Sequence, residues 1–230
     1  METFLIIAYF FLFMHILGID EAGRGPVIGP MVMAGVVIKP SDEDKLLELG
    51  VKDSKMLTPR KREELFLYIK SHYPYRYVVI PPSEIDTHVN SDDSNLNLLE
   101  ALHTAGIINH FAKKIDRAII DCPSNNIEAY KRIIEKKLIK RIELIVEHGA
   151  DKKYIVVSAA SIIAKVIRDN LIEDLKKRIG IDFGSGYPSD PATREFLEKY
   201  FDKYDFFRKS WSSWNKLKNG KNKSLKDYMD

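Results

Sequence analysis

The sequence predicts an α/β protein: a mixed sheet flanked by helices, with a C-terminal helical region. Three observations lead to this reading. Two β-rich apolar runs, residues 15–20 and 30–38, stand near the start with a Gly/Pro-rich break between them. After them, strand-length apolar runs alternate with segments of helical periodicity. No repeat interrupts that order, and a basic segment closes it. The 230 residues suit one medium domain, or a domain with a small appendage.

The first strand is residues 15–20, broken by Gly23-Arg24-Gly25-Pro26. The chain is apolar from Phe4 to Ile19, about 16 residues, slightly short for a bilayer span. It lacks the positive leader and small-residue cleavage site of an export signal. It therefore reads as a buried strand starting near Met14, with residues 1–13 as an apolar extension and no membrane anchor.

Residues 30–38 form the second strand, ended by Lys39-Pro40, and a short helix follows at 42–49. Thr58 caps a second helix, with Pro59 in its first turn, where a missing N–H costs nothing, and 61–70 continuing it. Residues 76–80 are a third strand, stopped by Pro81-Pro82. A long amphipathic helix at 95–114, a strand at 117–121, a helix at 127–136 and a strand at 142–147 come next. Within 158–178, Ile162, Ile163, Val166, Ile167 and Leu171 recur at helical spacing. A turn at Gly184-Ser185-Gly186, a helix at 192–204 and a basic tail complete the chain.

Charged residues are 30% of the chain with both signs mixed, so the net +3 says little about partners. The distribution says more. From Arg208 to Lys226 there are seven Lys or Arg and no Asp or Glu. That segment is either a solvated terminus or an arm that contacts phosphates. The single cysteine, Cys122, forbids an internal disulfide and makes a cytoplasmic setting the default. With no histidine near it in sequence to activate it, Cys122 reads as a small core residue.

Four acids occupy strand ends. Asp20 and Glu21 close the first strand, Asp121 closes the fourth, and Asp151 follows the fifth, just before the long helix. Neighbours on a regular strand point to opposite faces, so Asp20 and Glu21 serve one site only if the strand breaks there. Gly23-Arg24-Gly25-Pro26 is read as that break. Carboxylates gathered at one sheet edge repel each other unless a cation neutralises them. Oxygen ligands suit Mg2+ or Mn2+, and no His/Cys cluster suggests zinc. Two such ions activate water and stabilise a reacting phosphate. The plain alternative for Asp121 or Asp151 alone is a helix cap or turn residue.

Gly23-Arg24-Gly25 with Gly29 is not a dinucleotide fingerprint, because Ile28 stands where the last glycine belongs and a strand follows instead of a helix. The loop still admits close approach of backbone N–H groups to a ligand, and Arg24 adds a phosphate partner. Tyr187, in its Gly/Pro turn, is either a packing residue or a substrate contact. Lys165 and Arg168 lie three apart and share a helix face, which a solvated helix does equally well.

Taken together, four motifs resemble ribonuclease HII, the type 2 ribonuclease H. They are Asp20-Glu21-Ala22-Gly23-Arg24-Gly25-Pro26, Asp53-Ser54-Lys55, Ser158-Ala159-Ala160-Ser161-Ile162-Ile163-Ala164-Lys165 and Gly184-Ser185-Gly186-Tyr187-Pro188-Ser189-Asp190-Pro191. They fall in the expected order over nearly the whole chain after Met14. The Gly-Ser-Gly-Tyr-Pro form is similar to the archaeal and eukaryotic branch, and the length to the single-subunit archaeal enzyme.

The resemblance implies a ribonuclease H-like catalytic domain over residues 1–178, then a helical region and tail over 179–230. It implies an endonuclease that hydrolyses RNA paired with DNA and cuts 5′ of ribonucleotides embedded in duplex DNA. It implies roles in replication and ribonucleotide excision repair, and a monomer that uses Mg2+ or Mn2+, two ions during turnover. The implied metal ligands are Asp20, Glu21, Asp121 and Asp151. Gly23, Arg24 and Gly25 would read the ribose 2′-hydroxyl, and Tyr187 would stack on the sugar after the cleaved phosphate. Arg24, Lys55, Ser158, Lys165 and Arg168 would line the phosphate path.

The chain departs from many relatives at Gly149, where they carry a basic residue; this bears on a charge there and not on Asp151. His148 beside it reads as a solvated or packing residue. The segment from Asn222 to Met229 loosely resembles a sliding-clamp peptide: Leu225 and Tyr228 fit the pattern, while Asn222 and Met229 weaken it. The rival readings are a resolvase- or integrase-like nuclease on the same fold, which the Gly-Arg-Gly reader argues against, and a non-catalytic nucleic-acid binding module, which has no use for four acids. A type 3 ribonuclease H has a different signature and an added N-terminal domain.

Overall fold

The computed structural model describes residues 14–51 and 57–226, with side-chain surroundings as far as residue 220. The N-terminal extension, the Asp53-Ser54-Lys55 motif and residues 227–230 lie outside the described residues. In chain order the elements begin with β1 (Ile16–Ala22), β2 (Met31–Ile38), a 3-10 turn (Pro40–Asp42), α1 (Glu43–Glu48), α2 (Pro59–His72) and β3 (Tyr75–Ile80). Next come α3 (Pro82–Val89), α4 (Leu96–Phe111), β4 (Arg117–Asp121), α5 (Ile127–Lys137) and β5 (Glu143–Glu147). The last are α6 (Ala150–Lys153), α7 (Ile155–Ile179), α8 (Pro191–Tyr200) and α9 (Ser212–Lys226).

The chain divides into two compact units. The first comprises the described parts of Met1–Ala22, Val32–Val78 and Asn97–Ile167, the second those of Gly23–Met31, Val79–Leu96 and Arg168–Asp230.

The sheet has the order β3-β2-β1-β4-β5. β1 is antiparallel to β2, from Ile16 opposite Ile38 to Ala22 opposite Val32. It is parallel to β4, and β4 is parallel to β5. The sheet is therefore mixed, as the sequence predicts. Its central strands are buried on both faces, which is why they read as continuous apolar runs.

In the first unit, alternation along β1 puts Gly18 and Asp20 on one face and Leu17 and Ile19 on the other. On the Gly18 face the backbone of Val156 and Val157, at the start of α7, lies too close for any Cβ. On the opposite face, Gly35 of β2 is the near neighbour of Leu17 and of Ile107 on α4; a Cβ there would meet Ile107 Cγ2 at 2.6 Å. Glycine at 18 and 35 thus sets how closely the two helices approach the sheet.

The second unit has an aromatic core of Phe183, Phe196, Phe201, Phe206, Phe207 and Trp214, joined by Val27, Ile28 and Ile172. Its rings meet at offset angles, Phe196 and Phe206 at 6.3 Å, and the indole N–H of Trp214 donates to the Phe201 carbonyl at 2.7 Å.

Four expectations change. α7 begins at Ile155, not at 158: burial of Val156 and Val157 against Gly18 outweighs the weak helix propensity of a β-branched run. Pro81-Pro82 ends β3 but also opens a helix, α3, with Pro82 in the first turn, where proline fits. α8 stops at Tyr200, and the turn after it lets Tyr204 stack on Phe206 at 4.9 Å. The basic tail is helical as α9. The Thr58 cap is present, its hydroxyl accepting from the Lys61 N–H at 3.2 Å. No helix among the described residues is long and apolar enough to cross a membrane.

Candidate active site

The parallel register of β1 and β4 brings their C-terminal ends side by side. Ile19 is opposite Ile120, so Asp20 and Asp121 follow as neighbours. Asp121 Oδ1 accepts from the Ala150 N–H at 2.9 Å, and Ala150 opens α6 with Asp151 next in line. Gly149 before it has φ +65°, a conformation that glycine adopts without strain. The Ser158 hydroxyl of α7 donates to the Asp151 carbonyl and ties α6 to α7.

Carboxylate oxygens of Asp20, Asp121 and Asp151 consequently lie within 4.8 Å of one another. Asp20 and Asp151 are buried and Asp121 half-buried. Burial pushes the Asp20 carboxyl up to about 7; Lys165 and a hydrogen bond from Ser161 oppose the rise, and Asp121 adds to it. Lys165 Nζ donates to Ser161 Oγ at 2.6 Å, one helical turn apart. The geometry follows from Gly18. Asp20 lies two residues beyond it on the same face of β1, and Ser161 lies five residues beyond Val156 on α7. Strand and helix advance about 7 Å over those intervals.

Among the described residues, three converging carboxylates with the Lys165 ammonium beside Asp20 leave a shortage of positive charge. A hard divalent cation with oxygen ligands suits that donor set.

Glu21 is not among the oxygens that meet within 4.8 Å. β1 stays regular through Ala22, so the strand turns away only at Gly23 and leaves the two acids on opposite faces. Glu21 acts electrostatically on Cys122 and Tyr130, as does the fully buried Glu100 of α4. The sequence predicts four acids in one cluster; among the described residues, three meet.

Cys122 is buried, its thiol facing the Ser124 carbonyl, and burial pushes its pKa up, so it is no thiolate nucleophile. His148 Nδ1 bonds the Cys122 carbonyl at 2.9 Å. The expected phosphate contact at Ser158 is not available: the residue is 1% exposed and its hydroxyl is engaged by Asp151. It acts on the site by holding α6.

In the second unit, the Gly23-Arg24-Gly25 loop lies against the Gly184–Tyr187 turn. Val27 N–H donates to the Gly186 carbonyl at 2.9 Å. A Cβ on Gly25 would sit 3.4 Å from Tyr187 Cε1. Gly23 has φ +81°, and a Cβ there would meet the Pro30 carbonyl oxygen at 3.0 Å. Arg168 is buried; its guanidinium donates to the Ser185 carbonyl at 2.7 Å and lies 5.5 Å from the Tyr187 ring centroid. It shapes the turn more than it offers itself to solvent. Arg24 is half-buried, Gly25 and Tyr187 are exposed, and Lys55 lies outside the described residues. One residue escaped the sequence reading. Arg208, at the head of the basic segment, is fully buried and donates to the carbonyls of Gly23, Arg24 and Gly29. The flanking Phe206-Phe207 and Trp211 were the available signal.

The family model described as Ribonuclease HII matches residues 17–214. A Ribonuclease HII of Methanocella arvoryzae is 46% identical over 204 residues, covering 87% of this chain and 90% of its own. Among solved structures, the ribonuclease H2 from Pyrococcus horikoshii OT3 superposes with a TM-score of 0.81 at 41% identity, covering 90% of this chain and 98% of that one. The RNase HII of Archaeoglobus fulgidus, solved in a complex with PCNA, superposes at 0.78 with 40% identity, covering 86% and 96%.

Proposed function

The chain belongs to the ribonuclease HII family, nucleases that hydrolyse RNA in RNA–DNA hybrids, and from that premise we propose that it also cuts 5′ of single ribonucleotides embedded in duplex DNA. Water adds to phosphorus, the bond from phosphorus to the 3′-oxygen breaks, and the products carry 5′-phosphate and 3′-hydroxyl ends. The observation that carries this reading is the meeting of Asp20, Asp121 and Asp151 within 4.8 Å at adjacent strand ends.

These three would hold divalent cations, Mg2+ or Mn2+, and Glu21, which the family pattern also implies, would add negative charge from the other face of β1. When bound, a pair of such ions supplies an activated water and neutralises charge on the phosphate and on the departing oxygen. The protein's own groups do the rest. Lys165, held by Ser161, balances Asp20. The backbone of Gly23, Arg24 and Gly25 reads the 2′-hydroxyl, which both donates and accepts and so distinguishes RNA from DNA. Tyr187 stacks on the sugar that follows the cleaved phosphate, and Arg24 meets a phosphate oxygen.

We further propose that the end of the chain tethers the enzyme to a sliding clamp, as the Archaeoglobus fulgidus complex with PCNA suggests. A tether raises local concentration at replicating DNA without new catalytic contacts.

The test of the main reading maps the cut in a DNA duplex bearing one ribonucleotide, with Mg2+ and with Mn2+. A single incision on the 5′ side of the ribonucleotide, with a 3′-hydroxyl upstream, is expected. Cleavage confined to long hybrids, or incision on the 3′ side, overturns it.

A further inference from the structure

We propose that Arg208 is the positioning residue of the Gly-Arg-Gly loop, fixing the direction in which its amide groups point; this rests on the reading of that loop as the ribose sensor. Arg208 is 0% exposed. Its guanidinium donates to the Gly23 carbonyl at 2.6 Å, to the Arg24 carbonyl at 2.9 Å and to the Gly29 carbonyl at 3.0 Å. Trp211 takes the remaining carbonyl, its indole N–H donating to Gly25 at 3.0 Å, and its ring lies 5.0 Å from the Arg208 guanidinium. All three carbonyls of the loop are therefore held by two side chains of one segment.

Peptide planarity turns that grip into an aim. In a trans peptide the C=O of one residue and the N–H of the next point in opposite directions, and there is no cis bond among the described residues. Holding the carbonyls of Gly23 and Arg24 inward therefore points the N–H groups of Arg24 and Gly25 the other way. Glycine at 23 and 25 makes the loop permissive, so its peptide planes would otherwise rotate. The rigid, planar fork of arginine suits the task, since it meets several acceptors at fixed angles; lysine offers one point charge on a flexible stem.

Arg208 is itself held. Its N–H donates to the Val27 carbonyl at 2.8 Å. Asp86 on α3 takes the next two residues, accepting from Lys209 N–H at 2.8 Å, Ser210 N–H at 2.9 Å and Ser210 Oγ at 2.6 Å. A chain of hydrogen bonds thus runs from Asp86 through the 208–210 backbone to the loop. Neither Arg208 nor Asp86 touches substrate. Both act through the amides of Arg24 and Gly25.

The experiment compares Arg208→Lys, Asp86→Ala, Gly25→Ala and the parent on a duplex with one ribonucleotide and on matched 2′-deoxy and 2′-O-methyl controls, with thermal melts alongside. Arg208→Lys should lower the ratio of ribose to control cleavage by about tenfold or more, the size of losing aligned hydrogen bonds from a charged donor. The loss should fall on kcat, with KM for the duplex changed less than about twofold, whereas general unfolding lowers all substrates alike. Asp86→Ala should shift the ratio in the same direction by a smaller factor, and it serves where Arg208→Lys melts below the assay temperature. If Gly25→Ala damages discrimination while folded Arg208→Lys and Asp86→Ala leave it intact, the inference fails and the sensor reading stands. If Gly25→Ala also leaves discrimination intact, the sensor reading falls and the inference with it.

Discussion

Asp121 holds the residue before Asp151: its Oδ1 accepts from the Ala150 N–H at 2.9 Å. One acid of the cluster thereby positions another, and charge and scaffold can be separated by mutation. Asp121→Asn keeps an acceptor oxygen and removes the charge, whereas Asp121→Ala removes both. Asp121→Asn should cut hybrid cleavage by about 10³-fold or more, a loss of several kcal/mol of transition-state stabilisation, with a melting temperature near the parent's. Asp121→Ala should be as inactive and less stable by about 1 kcal/mol. Steady-state rates with Mg2+ and a denaturant titration check both; near-normal turnover by Asp121→Asn would remove it from the site.

Gly18 sets the distance between β1 and α7 at the level of Val156. Gly18→Ala should destabilise the protein by about 1–3 kcal/mol or more, because the obstacle is backbone that cannot rotate aside. Activity should fall further than folded fraction alone explains, since Ser161 and Lys165 ride on the same helix. A urea titration with parallel rate measurements decides. A change under about 0.5 kcal/mol contradicts the close approach.

Burial raises the Asp20 carboxyl from 3.8 to about 7. A raised carboxylate pKa contributes stability below the unfolded value and loses it as pH climbs through the folded value. Chelator-treated protein should therefore lose stability from about pH 4 to 7 more steeply than Asp20→Asn does. Mn2+ should raise the melting temperature of the parent at pH 7, where the cation replaces the proton, and should do little for Asp20→Asn. Parallel melting curves for the two proteins, with and without Mn2+, would refute the link between this carboxyl and the metal.

Truncation after Gly220 tests the tail. The expected result is loss of clamp binding with cleavage of free substrate little changed. Weaker and less salt-dependent hybrid binding with no clamp effect would instead identify a basic arm. Identical behaviour of truncated and full-length protein in both assays excludes the two roles together.

Sequence alone determined the mixed α/β class, the strand that carries Asp20 and the one that ends in Asp121, the Thr58 cap and the family. Each depends on local periodicity, on stop residues, or on motifs contiguous in the chain. Tertiary structure decided the rest. Whether Glu21 joins Asp20 turns on whether β1 stays regular for one more residue, which depends on its pairing with β2 through Ala22 and Val32. The start of α7 at Ile155 depends on glycine in a strand far away in sequence. Ser158 and Arg208 look from sequence like groups free to meet a phosphate. Burial makes them internal donors instead, Ser158 to Asp151 and Arg208 to the loop carbonyls 179–185 residues earlier. A polar side chain written in the sequence is a donor without a stated acceptor; folding chooses the acceptor, because a buried donor left unpaired costs more than the chain tolerates.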